Sequence, residues 1–557
     1  MPGKRVLIVG GVAGGASCAA RLRRMDESAQ IVMLERGPHV SFANCGLPYY
    51  LGGVIEDRSA LLVATPDRFR TAFNVDVRVR HEVRSINPAE KTIEVADLAA
   101  GTTAVEAYDA LVLAPGAEPV RPPLPGIDSP GVFTLRSLED TDAIQEAIKG
   151  RNAQRAVIIG GGYIGLEMAE NLVKRGLSVA LLELLDQVMA PMDAEMVTPA
   201  QDALRHHGVD LRLQTAASAI QPGPGGDSLA VQTTAGEHLP ADLVIVAVGV
   251  KPETRLAADA GLELGTTGGI KVDEQMRTSD ASIFAVGDAV EVRDFVTGRP
   301  TLIPLAGPAN RQGRIAADVI AGRDARFRGT QGTAVCGLFD VTLAITGATE
   351  KLLRREGIAY QKSYTHSAHH AGYYPGAEQM TIKLLFDPDD GRILGAQAVG
   401  RAGVEKRIDV IAMAVQKGGT VFDLEEAELC YAPQYGNAKD PVNMAGFVAG
   451  NILRDDIDVA HWDEWQRLQQ QPADERTPVV LDVRPPDKVA AAAVPGTIKV
   501  PLGELRAKLD ELPQDREVWV HCGIGQASYY ANRILRQRGF ERVRNLSGGI
   551  TSYKMQP

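Results

Sequence analysis

Two copies of one local pattern limit what this chain can fold into. Arg5-Val-Leu-Ile-Val reads as a buried parallel strand running straight into Gly10-Gly-Val-Ala-Gly-Gly15, and a helix is predicted from there to about Met25. A second strand, Ile31 to Leu34, ends at Glu35, about 20 residues beyond Gly15. This is a dinucleotide fingerprint. Gly10 makes the tight turn, Gly15 lets helix and strand pack closely, the pyrophosphate rests on helix N–H groups, and Glu35 accepts the ribose hydroxyls. The middle glycine is replaced by Val12, which is followed by Ala13. The second copy is cleaner: Arg155-Ala-Val-Ile-Ile, Gly160-Gly-Gly162-Tyr163-Ile164-Gly165, a helix to Arg175, then Val179-Ala-Leu-Leu ending at Glu183. Two such sites imply two dinucleotides. Glu183 repels a 2′-phosphate, and Leu184 and Leu185 supply no arginine to hold one, so NADH is favoured while NADPH stays possible.

Tyr108-Asp-Ala-Leu-Val-Leu-Ala-Pro-Gly116 and Thr278-Ser-Asp-Ala-Ser-Ile-Phe-Ala-Val-Gly-Asp288 resemble the return segments of two-dinucleotide flavoprotein reductases. Asp288 there bonds the flavin's ribityl chain, a role compatible with capping the next helix. Val9-Gly-Gly-Val-Ala-Gly-Gly-Ala-Ser, together with Ser41-Phe-Ala-Asn44-Cys45-Gly-Leu-Pro-Tyr, resembles the coenzyme A-disulfide reductase family over residues 1 to about 450. Further matches are Leu305-Ala-Gly-Pro-Ala-Asn-Arg-Gln-Gly-Arg314, Ala371-Gly-Tyr-Tyr-Pro375, Tyr431-Ala-Pro and Ala438-Lys-Asp-Pro-Val-Asn443.

The resemblance implies an α/β two-dinucleotide flavoprotein disulfide-reductase fold with FAD and NAD domains, an α+β dimerisation domain and a homodimer. It assigns FAD to Gly10, Val12, Ala13, Gly15, Glu35, Arg36, Val83, Gly116, Arg136 and Asp288. NADH falls to Gly160, Gly162, Tyr163, Ile164, Gly165, Glu183 and Gly249. A lone Cys45 beside a flavin cannot close its own disulfide, so it must pair with an arriving thiol, persulfide or peroxide.

Length and composition fit a multidomain enzyme: 557 residues, 45% hydrophobic. No apolar run approaches a membrane span, and Met-Pro-Gly-Lys-Arg followed directly by a strand lacks the apolar stretch of a signal peptide. Cys18, Cys45, Cys336, Cys430 and Cys522 show neither metal-ligand spacing nor a disulfide framework, which fits a reducing cytoplasm and no bound metal. A net charge of −11 argues against nucleic acid. The expected boundaries are 1–120 and 250–325 for the FAD domain, 121–249 for the NAD domain, 326–450 for dimerisation, a linker at 451–476 and a tail module at 477–557.

That tail contains Val479-Val-Leu-Asp482-Val-Arg484, Val494-Pro-Gly496, Val518-Trp-Val-His-Cys522-Gly-Ile-Gly-Gln-Ala-Ser528 and Gly548-Gly-Ile, and resembles a single rhodanese domain. Cys522 is read as ending a strand and opening a loop whose N–H groups point at the sulfur, ahead of a helix near Ser528, an arrangement that stabilises a persulfide anion. The family usually carries an arginine where this chain has Ala527, and a histidine where it has Val494.

Electrons from NADH are then expected to pass through the flavin and Cys45 to an S–S bond of coenzyme A persulfide, polysulfide or coenzyme A disulfide, with Cys522 handling sulfane sulfur. Candidate contacts to coenzyme A are Arg21 and Arg24 at helical spacing, Ser41, Asn44, Asn310 and Arg314. Tyr431 and one of Tyr373 and Tyr374 match tyrosines that reach across the family's dimer toward the partner's cysteine, where a hydroxyl can protonate a leaving thiolate. Cys18, Cys336 and Cys430 read as small core residues. Two alternatives compete: an NADH peroxidase or oxidase cycling Cys45 through a sulfenic acid, against which Ala13 stands where peroxidases carry histidine, and a non-catalytic redox sensor or sulfur carrier.

Overall fold

Strands of near-continuous Val, Ile and Leu bury both faces and pair in parallel, which is how the two halves of the dinucleotide-binding region are built. The computed structural model describes residues 3–150, 152–223, 228–472, 477–491 and 493–557. The chain divides into two compact units, Met1–Val188 with Leu204–Gly332, and Met189–Ala203 with Thr333–Pro557.

In the first unit a five-stranded parallel sheet runs in the order Ile283–Ala285, Ala110–Leu113, Arg5–Val9, Gln30–Glu35 and Asp76–Val79. A second runs Asp210–Arg212, Ser178–Leu182, Arg155–Ile159, Leu243–Val246 and Val132–Phe133. Both fingerprints therefore lie on interior strands, each opening a helix: Ala13–Met25 in the first, Tyr163–Lys174 in the second. The first unit reaches past the expected boundary at 325, because Phe327 is buried in the same core and the Phe295 N–H donates to the Thr330 carbonyl.

The second unit holds a five-stranded antiparallel sheet, ordered Ala334–Leu338, Val341–Gly347, Ile393–Gly400, Gln379–Phe386 and Gln361–Ala368. Residues 189–203, expected in the NAD domain, group with this sheet for an electrostatic reason. The ammonium of fully buried Lys383 lies 2.8 Å from Asp193, 2.5 Å from Glu195 and 2.7 Å from Glu350. Burial by itself raises the Asp193 and Glu350 carboxyls, but Lys383 overrides it and holds both below their ordinary range. The three acids form the only cluster with metal-ligand spacing among the described residues, and Lys383 already supplies its cation.

The tail forms a parallel sheet in the order Val459–Ala460, Val543–Leu546, Val518–His521, Val479–Asp482 and Ile498–Lys499. The linker expected at 451–476 is largely structured. The helix Pro441–Leu453 extends past 450, Val459–Ala460 is an edge strand of the tail sheet, and Trp462–Gln469 is a helix. Trp462 and Trp465 drive this, packing with Val494, Trp519 and Leu546 in one buried cluster. Residues 473–476 of that expected linker lie outside the described residues. No helix among the described residues is long and apolar enough to cross a membrane.

Two histidines of the second unit are buried and neutral: burial pushes His366 down to about 4, and burial together with the Lys362 charge pushes His461 down to about 3. Both folded values lie below the ordinary 6.5, so the stability they contribute is complete above 6.5 and is lost as pH falls toward the folded values. The second unit should lose on the order of 3 kcal/mol through His366 alone between pH 6.5 and 4. All three tryptophans, Trp462, Trp465 and Trp519, lie in this unit, so the midpoint of thermal unfolding followed by tryptophan fluorescence should fall over that range; a flat profile contradicts it.

Candidate active site

A Cβ at position 15 would lie 1.9 Å from the Gly10 carbonyl oxygen, and Gly10 itself has φ +94° with the Ala114 carbonyl 2.1 Å from where its Cβ would sit. Only glycine fits either position. The Gly11 N–H donates to Glu35 Oε2 (2.9 Å) and the Gly37 N–H to Oε1 (2.8 Å), so the carboxylate is fixed beside the turn. Val12 stands at the N-cap without a capping side chain, leaving first-turn N–H groups beyond Ala13 available to an anion. The second turn repeats this construction. Gly160 has φ +107°, a Cβ at Gly165 would meet the Gly160 oxygen at 1.9 Å, and Glu183 accepts from the N–H groups of Gly161 (2.7 Å) and Leu185 (2.8 Å). Open space faces Gly162, and Tyr163 and Ile164 start the helix. These cradles fit FAD at the first turn and a nicotinamide dinucleotide at the second.

Near the first cradle Gly116 takes positive φ and Arg136 donates to the Pro115 carbonyl (3.1 Å), while Gly249, also at positive φ, follows Ala247 and Val248, whose backbone lies against Gly160 of the second turn. Burial, then the charge of Arg36, lowers the Arg136 guanidinium's pKa, while burial raises the Asp288 carboxyl. Asp288 caps no helix: the next one, Ala306–Ile320, has Leu305 at its N-cap. The Val83 side chain is buried opposite Val95 and belongs to the core, leaving its backbone for any cofactor contact.

The Cys45 segment is tied to the first turn. The Ser41 N–H donates to the Gly11 carbonyl (2.7 Å) with Ser41 at φ +47°, and the Ala43 N–H donates to the Leu61 carbonyl (2.8 Å). Asn44–Gly46 forms a 3-10 turn that presents Asn44 and Cys45 at the surface. Cys18, the other cysteine of this unit, is buried and pushed up to about 12 by that burial. Partial burial raises the Cys45 thiol too, with further contributions from the negative charges of Glu167 and Asp288. Glu167 belongs to the helix of the second fingerprint, is itself raised by burial, and accepts the Tyr49 hydroxyl (3.1 Å). Neither Glu167 nor Tyr49 stands among the candidate site residues predicted from sequence. The available signal was an acid inside the apolar run Tyr-Ile-Gly-Leu-Glu-Met-Ala, just past the glycine turn.

The two arginines read as a cationic pair differ. Both Arg21 Nε and Nη2 lie 2.8 Å from Asp318 Oδ1 in a mostly buried ion pair, whereas Arg24 is exposed. Asn310 accepts from the Ser17 hydroxyl and donates to the Ala306 carbonyl (2.8 Å), and it and Arg314 are exposed. In the second unit the hydroxyls of Tyr373 and Tyr431 meet at 2.9 Å, while Tyr374 packs edge-on against His370. Cys430 is exposed rather than a core residue, because it falls in the loop between the helices Val421–Glu426 and Pro441–Leu453.

Cys522 follows the strand Val518–His521 and is buried, its sulfur accepting from the Gly525 N–H (3.2 Å) and the Ser528 hydroxyl (3.4 Å) ahead of the helix Gln526–Gln537. Ala527 packs on the tail core where the usual arginine would stand, and Val494 is buried against the tryptophans. At the next strand end Arg484 grips Asp482 (Nε to Oδ1, 2.9 Å; Nη2 to Oδ2, 2.6 Å). Burial alone raises the Asp482 carboxyl, but that bond holds it below its ordinary value.

Family models place a pyridine nucleotide-disulphide oxidoreductase over residues 4–313, the dimerisation domain of that family over 333–440 and a rhodanese-like domain over 464–556. The coenzyme A disulfide reductase of Staphylococcus aureus (strain JH9) is 37% identical over 446 residues, 80% of this chain and 99% of that protein. The crystal structure of reduced Bacillus anthracis CoADR-RHD is 46% identical with a TM-score of 0.96, covering 99% of this chain and 98% of that one. A NAD-dependent persulfide reductase from A. fulgidus is 37% identical with a TM-score of 0.90, covering 99% and 100%. The chain thus belongs to the pyridine nucleotide-disulphide oxidoreductase family, alongside its coenzyme A disulfide reductases, and carries a C-terminal rhodanese-like domain.

Proposed function

We propose that this enzyme uses NADH to reduce the S–S bond of coenzyme A persulfide or polysulfide, and of coenzyme A disulfide, releasing hydrogen sulfide or free thiol. One observation carries the reading: among the described residues Cys45 is the only exposed thiol of its unit, and the other cysteine there is buried, which favours a sulfur partner arriving from outside. Bound FAD supplies two-electron transfer between nicotinamide and sulfur. Gly10, Gly15, Glu35, Arg136 and Asp288 would hold it, and Gly160, Gly162, Gly165 and Glu183 would hold the nicotinamide nucleotide. Glu183, its carboxylate fixed by two N–H groups, favours NADH.

The Cys45 thiolate attacks the coenzyme A sulfur of the substrate, forming a Cys45–S–S–CoA bond and expelling hydrosulfide from a persulfide or coenzyme A thiolate from a disulfide. Two electrons then cleave that bond and restore the Cys45 and coenzyme A thiolates. Arg24, Arg314, Ser41, Asn44 and Asn310 bind coenzyme A, with Arg21 fixing the helix through Asp318. In a cytoplasmic homodimer, the partner's Tyr431, paired with Tyr373, protonates the leaving thiolate. Cys522 loads or delivers sulfane sulfur, with Gly525 N–H and Ser528 stabilising its persulfide. Likeness along the whole chain to a persulfide reductase favours sulfur reduction over the peroxidase, oxidase and sensor alternatives.

Anaerobic NADH oxidation should be followed with coenzyme A persulfide, coenzyme A disulfide, polysulfide and peroxide. Cys45→Ser should lose turnover of every sulfur substrate by several orders of magnitude. Cys522→Ser should impair only polysulfide use. Peroxide as the sole good oxidant, or full sulfur turnover in Cys45→Ser, overturns the assignment.

Removing the Glu167 charge should lower the Cys45 thiol pKa, since that carboxylate opposes the thiolate. In Glu167→Gln the pH midpoint for Cys45 alkylation by iodoacetamide should move down; an unchanged or higher midpoint rejects the coupling.

A further inference from the structure

The strand Gln361–Ala368 is an edge of the dimerisation sheet, and the tail covers part of it. The Tyr364 N–H donates to the Ser547 hydroxyl (3.3 Å), so an otherwise open edge donor ends in the rhodanese-like domain. Two residues on, the His366 imidazole bridges both domains: Nδ1 lies 2.8 Å from Thr381 Oγ1 on the neighbouring strand and Nε2 lies 2.9 Å from Ser552 Oγ in the tail. Ser552 belongs to the short helix Gly549–Lys554, whose approach loop Gly548-Gly549 takes positive φ at both residues.

This helix grips the Cys522 loop. The Ile550 N–H donates to the Cys522 carbonyl (2.8 Å), and the N–H and hydroxyl of Thr551 donate to the Gly523 carbonyl (3.0 and 3.1 Å). A Cβ at Gly549 would meet the Cys522 oxygen at 2.5 Å, and one at Gly548 would meet His366 Nε2 at 2.7 Å. Side chain and loop are thus in register across a contact with no room to slip. The Trp462 indole N–H donates to the Gly549 carbonyl (2.7 Å), fixing the same loop from the other side.

We propose that His366 of the dimerisation domain is a positioning residue for Cys522: through Ser552 and the Gly548-Gly549 loop it holds the thiol loop closed, so that the dimerisation sheet sets the geometry of the sulfur-transfer site. The sulfur-transfer half of this statement rests on Cys522 handling sulfane sulfur as proposed above; the loop-holding half does not. A buried hydrogen-bonded imidazole replaced by an apolar side chain takes from Ser552 its bond to the dimerisation sheet and leaves Thr381 only the long contact to the Met555 sulfur (3.7 Å), which loosens the loop.

The test uses the full-length protein as wild type, His366→Leu and His366→Gln, with Ser552→Ala removing the same bond from the tail side. Three quantities are read: the rate of Cys522 alkylation by iodoacetamide, mapped by peptide mass spectrometry; kcat and KM for sulfur transfer from thiosulfate to cyanide; and NADH-dependent coenzyme A disulfide reduction as an internal standard. His366→Leu and Ser552→Ala should each speed Cys522 alkylation by about tenfold and lower the transfer kcat by about tenfold, the effect of one lost buried hydrogen bond. Coenzyme A disulfide reduction should stay within about twofold of wild type, a difference well under one such bond. His366→Gln, which keeps an amide able to reach Ser552, should recover most of the loss. Unchanged alkylation in both His366→Leu and Ser552→Ala overturns the proposal. If alkylation speeds as expected while wild type transfers no sulfur, the loop-holding role stands and the assignment of sulfur handling to Cys522 falls. If His366→Leu loses the native tryptophan fluorescence, Ser552→Ala decides alone.

Discussion

The close approach of a helix to the end of its own strand, possible only where Cβ is missing, is the constraint on which the reductase unit depends. At Gly10 and Gly15, and again at Gly160 and Gly165, a carbonyl oxygen occupies the place of a side chain. That contact brings helix N–H groups and the carboxylates of Glu35 and Glu183 to one edge of each sheet. The Cys45 segment is then fixed by a backbone bond from Ser41 to Gly11, so the thiol's position follows from the same turn that builds the first dinucleotide site. The second turn contributes as well, because its helix carries the Glu167 carboxylate that opposes charge on Cys45. The first glycine turn and the Cys45 segment thus share one piece of backbone geometry.

The second unit is organised by buried charge instead. Lys383 has no solvent to turn to and three carboxylates around it, so Asp193 and Glu195 must come to the sheet that carries it. Lys362 extends the network, bonding Glu350 (3.0 Å) and reaching Asp463 (3.1 Å) at the start of the first tail helix. Breaking such a network leaves an unpaired buried charge, which costs about 3–5 kcal/mol. The tail is therefore held against the dimerisation sheet by Lys362, Tyr364 and His366 on a single strand.

What could be read from the sequence was local. Strand, glycine turn, helix and acid follow one another within each fingerprint, and the Asp482, Cys522 and Gly548-Gly549 segments of the tail sit at strand ends, so short-range pattern was enough. The misread parts depended on partners far along the chain. Residues 451–476 look polar enough for a linker, yet Trp462 and Trp465 find Trp519 and Val494, and Val459 pairs with Asn545. Residues 189–203 fall within the expected NAD domain, and nothing local in the sequence tells that Asp193 and Glu195 are claimed by Lys383 far along the chain. Arg21 and Arg24 have the spacing of a phosphate clamp, but Asp318 claims one of them. Cysteine as a residue type points to the core, but Cys430 lies in a loop that leaves it at the surface.

That exposure makes Cys430 the natural control for the central claim, that Cys45 is the sulfur to which substrate becomes attached. The reduced protein would be treated with one equivalent of coenzyme A disulfide without NADH, acid-quenched, digested under non-reducing conditions and mapped by mass spectrometry. A single coenzyme A adduct is expected on the peptide containing Cys45, removed when NADH is added. An adduct confined to Cys430 or Cys522, or none that NADH can remove, would contradict it.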